Sequence, residues 1–237
     1  MGSIQTHLTS LAFSKLFDHT LLKANASKID IENLCAQAIE GNFFSVCVLP
    51  RWVKHCSEIL KTTDIRVCTV VGFPLGGNTL EIKKQETIES LKNGATEIDM
   101  VIDCGALASG NLDFIHEEIS SIQNIVASEK NSQEKILKVI IETAHWSRDQ
   151  IKSLGQVVCD HGCAFVKTST GFSTRGASPE DIQDLYSVTQ KTQTKIKASG
   201  GIKTLEQVLA LNKLGAARIG SSSSHEIRKE FQKKCQA

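Results

Sequence analysis

The sequence predicts an α/β protein built as a single (β/α)8 barrel, the TIM-barrel architecture. Three observations predict it. Eight short apolar runs alternate with longer amphipathic stretches along the chain. Gly41, Gly94, Gly162 and Gly215 recur a few residues before runs two, four, six and eight. The 237 residues hold eight units of ~30 residues, the size of one strand–helix unit, with no proline- or serine-rich linker between them. One domain therefore covers 1–237, with a lead-in at 1–14 and a C-terminal helix or tail at 224–237. A doubly wound open sheet is the alternative, but "DHTLLKANAS" follows the first run where GxGxxG would be required.

The runs are, in order, "KLFDHT" (15–20), "FSVCVLP" (44–50), "RVCTVVGFP" (66–74), "EIDMVID" (97–103), "LKVIIET" (137–143), "AFVKTST" (164–170), "KIKASGG" (195–201) and "ARIGSSS" (217–223). Valine and isoleucine dominate several, as strands buried on both faces require. Between them, "SKIDIENLCAQAIEG", "TLEIKKQETIESLKNG", "SPEDIQDLYSVTQK" and "TLEQVLALNKLG" open with Ser or Thr caps and acidic first turns. Those are helix starts.

Composition narrows the function classes. A net charge of +1 and 5% aromatics give no basic, aromatic-laced surface, so no nucleic-acid partner is expected. No run approaches the ~18 apolar residues of a membrane span, and "MGSIQTHLTSLAFSKLF" has no signal-peptide pattern. The eight cysteines are scattered without a CxxC pair, and the seven histidines are equally dispersed. No metal site is expected, and the thiols read as small hydrophobes of a reduced, cytoplasmic protein.

In a barrel, function assembles where strands end. Those ends carry Asp18, Cys47, Gly72, Asp99, Glu142, Lys167, Lys197 and Gly220-Ser221-Ser222. Lys167 and Lys197 lie on consecutive strands and so are neighbours. Two ammonium groups withdrawn from water disfavour each other's charge, and a neutral lysine is the nucleophile that forms an imine with a carbonyl. Asp99 lies on the face opposite Ile98, Met100 and Ile102, placed to hold one lysine as a cation and to move a proton. Asp103 shares its parity but sits nearer the loop. Lys195 shares the parity of Lys197, and only position favours the latter. The loops "STG" (169–171), "SGG" (199–201) and "GSSS" (220–223) let backbone N–H groups approach a phosphate ahead of helix N-termini.

These motifs resemble the deoxyribose-phosphate aldolases, a family of class I aldolases on this barrel. The matching segments run in order from about residue 15 to 223, and "VKTSTGF" with "KASGGI" is their most specific pair. The resemblance implies a Schiff base on Lys167, with Lys197 as the partner lysine and Asp99 as the acid of a proton relay. It implies phosphate binding at Gly171, Gly200, Gly201, Ser221 and Ser222, with Asp18, Cys47 and Thr168 against or beside the substrate. The implied reaction is reversible cleavage of 2-deoxyribose 5-phosphate to acetaldehyde and glyceraldehyde 3-phosphate, with no cofactor. The implied partner is that small sugar phosphate, and a homo-oligomer is expected. The chain departs from the family at Lys195, at "ETAHWS" (142–147), and in a tail without tyrosine. Other readings of the same residues are a different class I sugar-phosphate aldolase, a barrel isomerase or synthase without a Schiff base, and a non-enzymatic sugar-phosphate sensor.

Overall fold

The computed structural model describes residues 8–129 and 133–236. A short helix α1 (Ser10–Ser14) leads into β1 (Phe17–Leu21) and α2 (Lys28–Gly41). Strand β2 (Ser45–Val48) passes through a 3-10 turn into α3 (Val53–Leu60), and β3 (Arg66–Val71) into α4 (Leu80–Lys92). After β4 (Glu97–Val101) come α5 (Cys104–Ala108) and α6 (Leu112–Ser128); after β5 (Ile136–Ile140) comes α7 (Arg148–Asp160). Strand β6 (Phe165–Lys167) precedes α8 (Pro179–Thr189), and β7 (Lys195–Ser199) precedes α9 (Leu205–Lys213). Strand β8 (Ala216–Ser221) and α10 (Ser224–Gln236) complete the chain.

All eight strands pair in parallel in sequence order, and β8 closes on β1 through Asp18 beside Gly220. Each expected run overlaps one strand, with ends that differ by a few residues. Closure removes every sheet edge, and the helices bury the outer face. On β4, Ile98 and Met100 point outward and pack with Ile115 and Ile119 of α6 in one fully buried core. Asp99, one residue out of phase, points into the barrel.

The helix starts read from the sequence carry reciprocal capping boxes at Ser27, Ser178 and Thr204, and Ser147 adds another. Three of the recurring glycines adopt the left-handed backbone expected after a helix. At the first, that role has moved one residue on, to Asn42 with φ 49°, a residue that tolerates it.

The lead-in and the tail meet: Phe13 stacks on Phe231 with ring centroids 3.9 Å apart. Residues 1–7 of the lead-in, where the signal-peptide reading begins, lie outside the described residues. Among the described residues no helix is long and apolar enough to cross a membrane.

Candidate active site

A (β/α)8 barrel interior is ordinarily filled by layers of branched apolar side chains. Here charged residues take that place. Asp18 from β1, Glu97 and Asp99 from β4, Lys138 from β5, Lys167 from β6, Lys197 from β7 and Arg218 from β8 all point inward, and none is more than 5% exposed.

Asp99 is their hub. Its Oδ2 accepts from Lys167 Nζ at 2.8 Å and from Lys197 Nζ at 2.7 Å, while its Oδ1 accepts from Lys138 Nζ at 2.7 Å. Lys197 also bonds Asp18 Oδ2. Asp18 Oδ1 accepts from Arg218 Nη1 at 2.6 Å and from Ser45 Oγ at 2.7 Å. Glu97 Oε2 lies 2.7 Å from Lys138 Nζ and 3.3 Å from Arg218 Nη1.

Burial alone would raise the Asp99 pKa, but Lys138, Lys167 and Lys197 outweigh it and hold the carboxyl well below its usual range. Asp18 behaves alike, with Arg218, Lys197 and Lys138 overcoming its burial. Burial opposes the charge of Lys197, yet Asp18 and Asp99 keep its pKa above the ordinary lysine value. Lys138 is likewise held well above the ordinary lysine value, against its burial, by Asp99, Cys68, Glu97 and Asp18. With Lys138, Lys197 and Arg218 charged, the three carboxylates are matched. Lys167 is the fourth buried cation, and among the described residues its amine bonds Asp99 alone.

Above this cluster opens a cavity of about 210 Å³ at the C-terminal end of the strands. Lys167 lines it together with Gly171, Gly200, Gly201, Ser221 and Ser222, so the amine and the three loops converge as expected. Lys138 and Lys197, the other two lysines on Asp99, do not line it. The loops fit closely: a Cβ at Gly176 would lie 1.9 Å from the carbonyl oxygen of Gly200. Ser221 Oγ donates to Ile202 O at 2.7 Å and ties the β8 loop to the β7 loop.

Asp18, Cys47 and Thr168, expected against or beside the substrate, do not line this cavity. Asp18 is spent within the ion cluster. Cys47 is buried with Cys68 and Val70 in a small apolar cluster. Thr168 faces β7, where its Oγ1 accepts from Ser199 N at 3.2 Å and donates to Ser199 O at 3.3 Å. Asp103 caps α5 by accepting from Ala106 N at 2.9 Å, and Lys195 is exposed where β7 begins.

Sequence reasoning missed Lys138, Glu97 and Arg218, whose signal was a charge within an apolar run. It also missed Lys23 and Lys203, which bring positive charge to the cavity wall. Cys47, Cys68 and Asp99 gather ligand atoms within 4.8 Å of one another, as do Asp18, Cys68 and Glu97. Lysine or arginine cations already sit on each of these carboxylates, an environment hostile to a metal ion.

Comparison with known proteins agrees with this geometry. The family described as DeoC/LacD family aldolase matches residues 13–232. A deoxyribose-phosphate aldolase of Caldicellulosiruptor saccharolyticus is 48% identical over 94% of this chain and 100% of its own length. One from Lysinibacillus sphaericus is 46% identical over 91% of this chain and 94% of its own. The tetrameric deoxyribose phosphate aldolase of Aeropyrum pernix superposes with a TM-score of 0.86 at 29% identity, covering 94% of this chain and 92% of that one. A match spanning nearly the whole barrel, relatives above 40% identity and a lysine-lined pocket in the expected place lead to one conclusion: the chain belongs to the DeoC/LacD aldolase family.

Proposed function

We propose that this enzyme cleaves 2-deoxy-D-ribose 5-phosphate reversibly to acetaldehyde and D-glyceraldehyde 3-phosphate through an imine on Lys167. One observation carries the reading. Of the three lysines bonded to Asp99, only Lys167 also reaches the cavity.

The chemistry follows from that placement. Neutral Lys167 Nζ attacks C1 of the open-chain sugar, and loss of water gives a protonated imine. A base takes the proton of the C3 hydroxyl, the C2–C3 bond breaks, and its electron pair moves into the imine to give an enamine. Glyceraldehyde 3-phosphate leaves, the enamine is protonated at C2, and water releases acetaldehyde from Lys167. The imine is the electron sink, so the scheme uses no cofactor. Asp99 Oδ2 touches both Lys167 and Lys197, so a proton has a two-bond path between the amines. Because Asp99 is held firmly as an anion, its protonated form is a transient of the relay and not a resting state. Gly171, Gly200, Gly201, Ser221 and Ser222 hold the phosphate through backbone N–H groups, with Lys23 and Lys203 adding charge.

The proposed compartment is the cytoplasm, supported by eight free thiols. A homo-oligomer is proposed on the tetrameric state of the Aeropyrum pernix relative.

The test is borohydride reduction with acetaldehyde followed by peptide mass spectrometry. An ethyl adduct is expected on Lys167, with both adduct and cleavage lost in Lys167→Ala. An adduct that persists in that variant places the Schiff base elsewhere. Absence of any adduct in the wild type favours an isomerase or a sensor.

A further inference from the structure

Glu142 stands just beyond β5 and plays no part in the scheme above. It is 3% exposed and holds a left-handed backbone, φ 51° and ψ 68°, that residues other than glycine rarely adopt. Its Oε1 is buried and has no hydrogen-bond partner among the described residues. An unfavourable backbone and an unmatched carboxylate oxygen at one residue call for a compensating role.

That role is visible at its other oxygen. Glu142 Oε2 accepts from Thr170 N at 3.2 Å and from Thr170 Oγ1 at 2.5 Å. Thr170 Oγ1 in turn accepts from Phe172 N at 3.0 Å. Of three successive N–H groups in the β6–α8 loop, the first is taken by Glu142 and the third by Thr170. Gly171 N–H, between them, makes no hydrogen bond among the described residues, and Gly171 lines the cavity. The same chain of bonds sets Phe172, which lines the cavity and lies edge-on to Phe73 at 5.2 Å.

We propose that Glu142 is a positioning residue: by clamping Thr170 it selects the Gly171 N–H as the donor this loop offers to the substrate's phosphate. The inference rests on the phosphate end of the proposed function and on no step of the aldol chemistry. Thr170 and Gly171 line the cavity and Glu142 does not, so Glu142 acts on the ligand through the loop. Its loss therefore loosens ground-state grip and leaves the reacting carbon untouched.

The experiment compares Glu142→Ala, Glu142→Gln and Thr170→Val by calorimetric titration with inorganic phosphate and by kinetics on 2-deoxyribose 5-phosphate. Glu142→Ala is expected to weaken phosphate binding about tenfold and raise KM similarly, with kcat changed less than about threefold. Glu142→Gln keeps a carbonyl acceptor and is expected to recover most of the affinity. Thr170→Val keeps its N–H but loses the hydroxyl, and is expected to fall between. Unchanged phosphate affinity in Glu142→Ala, or a fall in kcat at unchanged affinity, overturns the proposal. Should Glu142→Ala not fold, Thr170→Val decides alone, and wild-type affinity there overturns it. Calorimetry needs no turnover: a wild type that binds phosphate without cleaving sugar refutes the aldolase reading and leaves this one standing. A wild type that binds no phosphate overturns it.

Discussion

Lys197→Leu removes one buried cation and keeps much of the apolar stem, so it tests how charge within the barrel governs the nucleophile. Lys167 and Lys197 bond the same oxygen at 2.8 and 2.7 Å, which puts their nitrogens at most ~5.5 Å apart. At an effective dielectric of about 20, two unit charges at that distance repel by about 3 kcal/mol, equivalent to about two pH units. Without Lys197 the remaining cations, Lys138, Lys167 and Arg218, match the three carboxylates only while Lys167 keeps its proton. Protonation of Lys167 becomes easier, so the neutral amine is reached at higher pH. The pH profile of borohydride trapping with acetaldehyde should move up by about two units, and Lys197→Arg should return it most of the way. Trapping reads imine formation alone and is not confounded by later proton transfers. The variant should also lose about 3 kcal/mol of stability, because Asp18 and Asp99 are each left short of a partner. For a barrel of this size that lowers Tm by about 6–12 °C. A Lys197→Leu profile that overlays the wild type refutes the charge coupling and leaves burial as the sole control.

Three further outcomes follow from the same structure. Ser222→Asp puts a negative charge on the cavity wall, so kcat/KM should fall far more for deoxyribose 5-phosphate than for deoxyribose; equal losses would remove Ser222 from the phosphate site. Gly176→Ala drives a Cβ against the Gly200 backbone, so calorimetry should show weaker phosphate binding and scanning calorimetry a lower Tm; no change in either would mean the two loops are not held in contact. Asp18 and Asp99 have depressed pKa values, so their contribution is intact above the unfolded value of ~3.9 and is lost as pH falls below it. Each should then remove about 1.4 kcal/mol per pH unit in urea titrations below pH ~4, and Asp99→Asn should flatten that slope.

The eight strands were legible because a strand covered on both faces must be apolar throughout, and such runs stand out against amphipathic helices. Lys167 and Lys197 were legible because they interrupt those runs next to loops, and Asp99 because its parity sets it opposite Ile98 and Met100. Lys138 interrupts "LKVIIET" just as clearly, yet it pairs with Phe165, two residues below Lys167, where reading only strand ends does not look. Its importance depends on its register with Asp99 across β4 and β5, and one strand's pattern does not reveal that. The parity of Lys195 and Lys197 is identical; what separates an exposed lysine from a fully buried one is height along the barrel axis. Asp18 was identified as important for a reason the geometry does not share. Its place among Lys197, Arg218 and Ser45 rests on contacts spanning up to 200 residues, which no local motif encodes.

The buried inward charges are also divided along the chain, with the half-buried Arg66 of β3, 3.7 Å from Glu97 Oε1, as the exception. Strands β1 to β4 contribute the carboxylates of Asp18, Glu97 and Asp99, while β5 to β8 contribute Lys138, Lys167, Lys197 and Arg218. The first half of the barrel therefore presents an acidic inner surface and the second half a basic one. Neither half can bury its inner face alone without leaving like charges uncompensated in a medium of low dielectric. Each supplies the counterions of the other, across sequence separations of 68 residues for Lys167 with Asp99 and 200 for Arg218 with Asp18. Closing β8 onto β1 is thus an act of mutual neutralisation between the two ends of the chain. The apparatus that tunes the nucleophile is for the same reason a device that makes a repetitive fold behave as one indivisible unit.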